Sequence, residues 1–246
     1  DALTLTIDRW TSQGLRVLLM CYHPEPRLLK DQGDESTLPI PMIPAAVLAL
    51  SDELRPDARP TLDSFVANGV TPKIISGDHP DTVAALARQA GFLVTGRLVS
   101  GTDLAEMQGA ALTEAAHSGS IFGRITPQQK EQLVDALRAR GHYVAMMGDG
   151  VNDAPALAAA HASMAPSTAA DIGRNAADLV FLGTSLEAVP NAIDIARKAD
   201  RLVRQNLWLS VAYNVTVVPI AVAGYVTPLI AAIAMSTSSI LVVANA

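Results

Sequence analysis

The chain has 246 residues, 50% of them hydrophobic, a net charge of −6 and one cysteine, Cys21. That length holds one ordinary domain with something added, or two small ones. The acidic balance and the lack of any Lys/Arg-rich run exclude a nucleic-acid footprint, and one cysteine excludes both a disulfide framework and a Cys-rich zinc site. Aromatic residues are scarce and the apolar content is mostly Ala, Leu and Val, which suits α/β layers and membrane helices better than an all-β sandwich.

The opening DALTLTIDRW lacks a basic region followed by an apolar core, so no signal peptide is expected; its abrupt start reads as that of a fragment. Residues 14–23 (GLRVLLMCYH) predict a strand, 24–44 a Pro/Asp/Gly-rich loop, and 45–51 (AAVLALS) a second strand. A helical pattern runs from Pro56 to Asn68 and stops at Gly69. A strand over 73–76 (KIIS) ends at Gly77 and Asp78, and Pro80 suits the first turn of a helix reaching Gly91. A short strand is expected at 120–122. Thr126-Pro127-Gln128-Gln129 has the capping-box pattern and starts a helix that carries Lys130 and ends near Gly141. Residues 143–147 (YVAMM) predict a strand, followed by a Gly-Asp-Gly turn and another helix. Val180 to Leu182 is a last short strand, and Ser185 is expected to cap a long helix with Pro190 in its early turns. Strands alternating with helices predict a Rossmann-like parallel sheet covered on both faces, with chemistry at the carboxyl ends of its strands.

From Gln205 to Ala246 there is no charged residue and no histidine, a run of 42 residues, where a membrane-spanning helix needs about 20. Gly224 to Pro228 (GYVTP) is a turn signal, so two spans are expected at 206–224 and 228–246. Arg197, Lys198, Arg201 and Arg204 precede the first and favour the cytoplasmic side. The competing reading is a buried helical hairpin of a soluble protein.

Two strand ends carry candidate chemistry. In Gly148-Asp149-Gly150-Val151-Asn152-Asp153-Ala154-Pro155 the glycines allow a tight turn, and two carboxylates four residues apart form an oxygen-rich site suited to Mg2+. Asn152 can bond an acidic neighbour or a phosphate. The bland alternative is a surface turn with helix-capping acids. Ser76-Gly77-Asp78 offers a hydroxyl and backbone N–H groups ahead of a helix N-terminus, where a phosphoryl group can sit; the same string is an ordinary turn. Lys130 can neutralise phosphate charge or be a solvated surface lysine.

The order strand–SGD–helix, TPQQK, strand–GDGVNDAP resembles the haloacid dehalogenase superfamily, and specifically the P-type ATPases, whose hinge motif MMGDGVNDAPAL matches closely. KIISGDHPDTVAALARQ and FGRITPQQKEQLVDALR are similar to their phosphorylation-domain segments. The resemblance covers roughly residues 14–246. It implies Mg2+ at Asp149 and Asp153, phosphate contacts from Ser76, Gly77 and Asp78, stabilisation of the transferred group by Lys130, and ATP as substrate. It also implies residues 1–44 as a remnant of the nucleotide-binding domain and its linker, 45–184 as the C-terminal part of the phosphorylation domain, and 185–246 as a stalk helix with two membrane helices. The family's Asp-Lys-Thr-Gly-Thr nucleophile string and the actuator's Thr-Gly-Glu are not in this sequence, so the missing N-terminal part of the pump becomes the expected partner, and this chain alone is expected to be inactive.

The expected spans carry Tyr213, Asn214, Met235, Ser236, Thr237, Ser238 and Ser239. Polar groups in a span line a path or glue helices, and a Met thioether suits Cu+. Tyr-Asn followed by Met-x-x-Ser-Ser resembles the last helices of heavy-metal pumps, chiefly copper pumps. MAPSTAADIGRNAADLVFL is similar to those serving haem–copper oxidase assembly. Residues 14–140 are instead similar to another bacterial subgroup of cation pumps. Ion ligands sit in the membrane part, which makes Tyr213, Asn214, Met235, Ser238 and Ser239 the transported-ion candidates. The resemblance implies a multi-pass protein of the bacterial inner membrane with its α/β domain in the cytoplasm. The alternatives are a non-catalytic, membrane-anchored regulator of a full pump and a phosphatase of the same superfamily.

Overall fold

The computed structural model describes residues 2–25, 40–51, 53–183 and 185–245. Most of the loop expected over 24–44 lies outside them. The chain divides into two compact units, Asp1–Leu186 and Glu187–Ala246.

The first unit opens with helix α1 (Ala2–Ser12) and strands β1 (Arg16–Tyr22) and β2 (Ile43–Leu50). The strands pair antiparallel from Arg16↔Leu50 to Tyr22↔Ile43, with an irregularity at Met20/Cys21. Leu18, Met20, Leu48 and Leu50 of this hairpin are each about half exposed. There follow α2 (Ala58–Ala67), β3 (Ile74–Ile75), α3 (Pro80–Gln89), β4 (Arg97–Ser100), α4 (Gly101–Ala105), α5 (Ala110–Ser118), β5 (Gly119–Gly123) and α6 (Pro127–Ala139). The unit continues with β6 (Ala145–Met147), a single 3-10 turn over Val151–Asp153, α7 (Ala154–Ala159), β7 (Ala162–Pro166), α8 (Asp171–Ala176) and β8 (Leu179–Phe181).

The parallel strands form two three-stranded sheets, β3–β5–β4 and β6–β7–β8, where one was expected. Among the described residues, β3 and β6 pair on one side only. β5 is buried at every residue, and its alternation divides the core between the two faces of its sheet. Ile121 packs with Val83, Ala84, Ala87 and Phe92. Phe122, one residue on, packs with Leu104, Ala115, Ala116 and Leu133. Both faces are therefore covered by helices, which is the condition for a parallel sheet.

Local chemistry starts and stops the helices as the sequence predicts. Gln129 N–H donates to Thr126 Oγ1 (3.3 Å) and Thr126 N–H to Gln129 Oε1 (3.0 Å), completing the capping box of α6. Pro80 opens α3 behind His79, whose ring accepts from Asp81 N–H. Ser185 departs from expectation. Its hydroxyl donates to Asp57 Oδ2 at 2.7 Å, and the long helix starts further on, with Glu187 at its N-cap position and no side-chain cap.

The second unit contains α9 (Ala188–Val222), with Pro219 inside it, and α10 (Pro228–Asn245). Among the described residues, α10 is the helix that is long and apolar enough to cross a membrane. Half-covered residues recur at Asn206, Ser210, Tyr213 and Val217 of α9 and at Ala231, Ala234, Ser238, Val242 and Asn245 of α10. Steps of three and four mark one face of each helix, so these residues form the seam of an antiparallel hairpin. Asn245 Nδ2 donates across it to Asn206 Oδ1 at 2.9 Å.

Candidate functional site

Strands β3 and β6 deliver the two turns singled out in the sequence. After β3, Asp78 N–H donates to Ser76 Oγ (3.1 Å), so the turn is closed by its own hydroxyl oxygen and the Ser76 proton remains available to a further acceptor. The backbone of this turn is tied to the end of β5: Arg124 N–H donates to Asp78 O (2.7 Å) and Ile125 N–H to Ser76 O (3.0 Å). Arg124 takes φ +54 to do so, a left-handed conformation costly to a non-glycine residue. Gly123 brings the strand close enough that a Cβ there would lie 2.5 Å from Pro80 N.

After β6, the Gly148–Gly150 turn folds around Asp153. Gly150 N–H donates to Asp153 Oδ2 at 3.0 Å, and Lys130 Nζ donates to Asp153 Oδ1 at 2.6 Å. The Lys130 and Asp153 side chains retain 13% and 11% of their exposure. Lys130 lies in the first turns of α6, directly after the residues that hold the Ser76–Asp78 turn. A continuous chain of bonds therefore joins Ser76 and Asp78, through residues 124–130, to Asp153 and Gly150.

The two carboxylates expected at one Mg2+ site differ in their surroundings. Asp153 is buried and committed to Lys130 and to Gly150. Asp149 is exposed; its backbone carbonyl accepts from Ala170 N–H (3.2 Å). Asn152 is exposed as well. One or two protein carboxylates together with phosphate oxygens suffice for Mg2+, and Asp149 fits that pattern.

Three arginines near Asp78 escaped the sequence reading. Arg16 Nε of β1 stands 3.5 Å from Asp78 Oδ1, with both side chains around half exposed, a pairing of small energetic weight. Arg16, Arg88 and Arg124 also line an open cleft of about 540 Å3 next to Gly77 and Asp78. Arg124 sits inside the string FGRITP, but its left-handed backbone had no signal in residue type. In the second unit, Tyr213 and Ser238 belong to the seam, while Asn214, Met235 and Ser239 are exposed on other faces.

A family profile described as haloacid dehalogenase-like hydrolase matches residues 13–161. The "Nitrogen fixation protein FixI" of Rhizobium leguminosarum bv. viciae is 47% identical over 195 residues, 79% of this chain and 22% of that protein. The "Copper-exporting P-type ATPase" of Mycobacterium tuberculosis is 33% identical over 202 residues, 82% of this chain and 23% of that protein. The chain thus spans less than a quarter of the length of these relatives. The crystal structure of a zinc-transporting PIB-type ATPase in its E2.Pi state superposes with a TM-score of 0.68, covering 100% of this chain and 33% of the other at 23% identity, a likeness of fold. The chain belongs to the haloacid dehalogenase-like hydrolases, and over most of its length it is related to a segment of the P-type ATPases.

Proposed function

We propose that the chain forms the rear part of the phosphorylation domain and the final membrane hairpin of an ATP-driven heavy-metal pump, with Cu+ as the transported ion. The observation that carries this is the bonded path from the Ser76–Asp78 turn through α6 to the Lys130–Asp153–Gly150 network. It links the carboxyl ends of β3 and β6, each an edge strand of its sheet among the described residues, as β4 and β8 also are. A strand from the upstream part of the pump, carrying the Asp nucleophile, fits between them and sets that Asp among both turns.

In that arrangement the upstream carboxylate oxygen attacks the ATP γ-phosphorus, the new O–P bond forms, and the bond to the ADP oxygen breaks. Asp149 would hold Mg2+, which supplies positive charge to the phosphate oxygens when bound. The Ser76 hydroxyl and the Gly77 N–H donate to the transferred group. Lys130 contributes its charge while anchored by Asp153, and Asn152 donates from the same turn. Phosphorylation then biases which of two packed arrangements of domain and helices is favoured.

The charge-free stretch after Arg204 would place α10 and the second half of α9 in the inner membrane, with the basic residues of α9 on the cytoplasmic side. Asn214, Met235 and Ser239, exposed on the hairpin, would face the pump's other helices and the ion, and Tyr213 and Ser238 would fix the seam behind them. In the complete pump, Asp149→Ala is expected to abolish phosphoenzyme formation from ATP; normal phosphoenzyme levels would contradict the reading. Met235→Ala is expected to weaken Cu+ binding in the membrane, and unchanged copper stoichiometry would remove copper as the cargo.

A further inference from the structure

We infer that His117 and His142 form a surface binding site for one borderline divalent metal ion of the Zn2+, Ni2+ or Cu2+ class, separate from the phosphorylation site. His117 lies in the last turn of α5. His142 follows α6 through Gly141 at φ +86, and its place is fixed by backbone bonds from Gly141 N–H to Arg138 O (2.8 Å) and from His142 N–H to Leu137 O (3.1 Å).

His117 Nδ1 and His142 Nε2 stand 3.0 Å apart. The rings are tilted by 10° and their centroids are 5.0 Å apart. Since the nitrogen pair spans most of that separation, the rings meet nitrogen to nitrogen and not face over face. Two in-plane lone pairs at this distance repel unless a proton or a cation lies between them. Zinc holds imidazole nitrogens at about 2.0–2.1 Å, which puts two of its ligands roughly 3 Å from each other. The pair is therefore close to chelating spacing, and both residues are exposed.

The local field favours a cation. Helices α5 and α6 both end here, and helix carboxyl ends carry partial negative charge. Lys73 already uses this field, donating its ammonium to the carbonyls of His117 (2.7 Å) and Gly119. Glu114, one turn before His117, is held ionised chiefly by the Arg140 guanidinium, 2.6 Å from its Oε2. No three His, Cys, Asp or Glu side chains converge among the described residues, so the ion would keep open positions for water, unlike a closed structural zinc. His117 precedes β5 and His142 precedes β6, whereas Asp78 and Asp149 follow β3 and β6. The pair thus belongs to the opposite ends of the strands from the phosphate-binding turns.

The test is a Zn2+ titration of the whole chain against a competing chelator, with Mg2+ in excess to occupy oxygen-rich sites. One Zn2+ per chain is expected. His117→Ala and His142→Ala should each weaken it at least tenfold, whereas His23→Ala and His161→Ala should leave it unchanged. Zn2+ should also raise the melting temperature of the parent chain and not that of the two variants. Retention of parent affinity by both variants, or parent binding no tighter than that of the doubly substituted chain, would overturn the assignment.

Discussion

Lys130 Nζ stands 2.6 Å from Asp153 Oδ1, and both side chains are largely withdrawn from water. The pair crosses 23 residues of sequence and fastens the start of α6 to the turn after β6. Such a pair contributes little net stability against an apolar replacement, but loss of one member strands a buried charge. Lys130→Met is therefore expected to cost about 3–5 kcal/mol in urea unfolding. Adding Asp153→Asn should recover part of that, because the amide oxygen still accepts from Gly150 N–H and carries no charge. A loss below about 1 kcal/mol for Lys130→Met, in the range of surface pairs, would show that the contact does not hold the turn.

The glycine before Asp149 is required by shape and not by backbone conformation. A Cβ on Gly148 would lie 2.6 Å from Asp153 Cβ, whereas one on Gly150 would meet Asp153 Oδ2 at 3.3 Å. The first clash is with a side-chain root that cannot rotate away; the second is with a carboxylate oxygen that can. Gly148→Ala is expected to destabilise the chain by about 1–3 kcal/mol through overpacking, and Gly150→Ala by clearly less. Equal losses in denaturant titrations would rule out this account of the turn.

Much of the site was legible because its signals are local. Pro80 and the Thr126–Gln129 pattern announce helix starts, and the Ser76–Asp78 and Gly148–Gly150 turns lie at strand ends as read. The segment from Phe92 to Gly119 gave no such period, yet it folds into β4, α4 and α5. These elements are short, with Ala-rich α5 among them, and burial against β5 and α6 decides them. Strand β7, Ala162–Pro166, has weak β propensity and is a strand because β6 and β8 pair with it on either side. Division into two sheets is a matter of long-range pairing, which periodicity does not encode. The commitment of Asp153 to Lys130 was hidden for the same reason: spacing showed two acids four residues apart, not which of them a distant helix would claim.

The Asp57–Ser185 contact makes a pH prediction. The Ser185 hydroxyl is the main cause of a lowered Asp57 pKa, and the Leu186 N–H adds to it; these donors sit 2.7 and 3.3 Å from Oδ2. A carboxyl with a folded pKa below its unfolded value binds fewer protons in the native state. Its contribution is therefore fully present above the unfolded pKa of about 3.9, and it is lost as pH falls through the folded pKa. Asp57→Ala should lower the melting temperature at pH 7, and the gap to the parent chain should close on acidification below the ordinary carboxylate range. A gap constant down to pH 2 would mean that the ionised form has no special role.

In the second unit, the amide pair Asn206–Asn245 lies in a seam otherwise built from Ser210, Tyr213, Val217, Ala231, Ala234, Ser238 and Val242. Small residues let two helices approach, and hydrogen bonds across a membrane seam contribute about 0.6 kcal/mol on average and no more than about 1.7. A double-mutant cycle with Asn206→Leu and Asn245→Leu, read from unfolding of the hairpin in bicelles, should give a coupling in that range. Each single variant should lose more than its share, since it leaves one amide without its partner at the seam. The cycle separates two ways of setting register. A measurable coupling assigns it to the amide pair, which admits one alignment of the helices. A coupling indistinguishable from zero would assign it to the packing of Ala231 and Ala234, which tolerates neighbouring alignments and would leave Tyr213 and Ser238 without a fixed level.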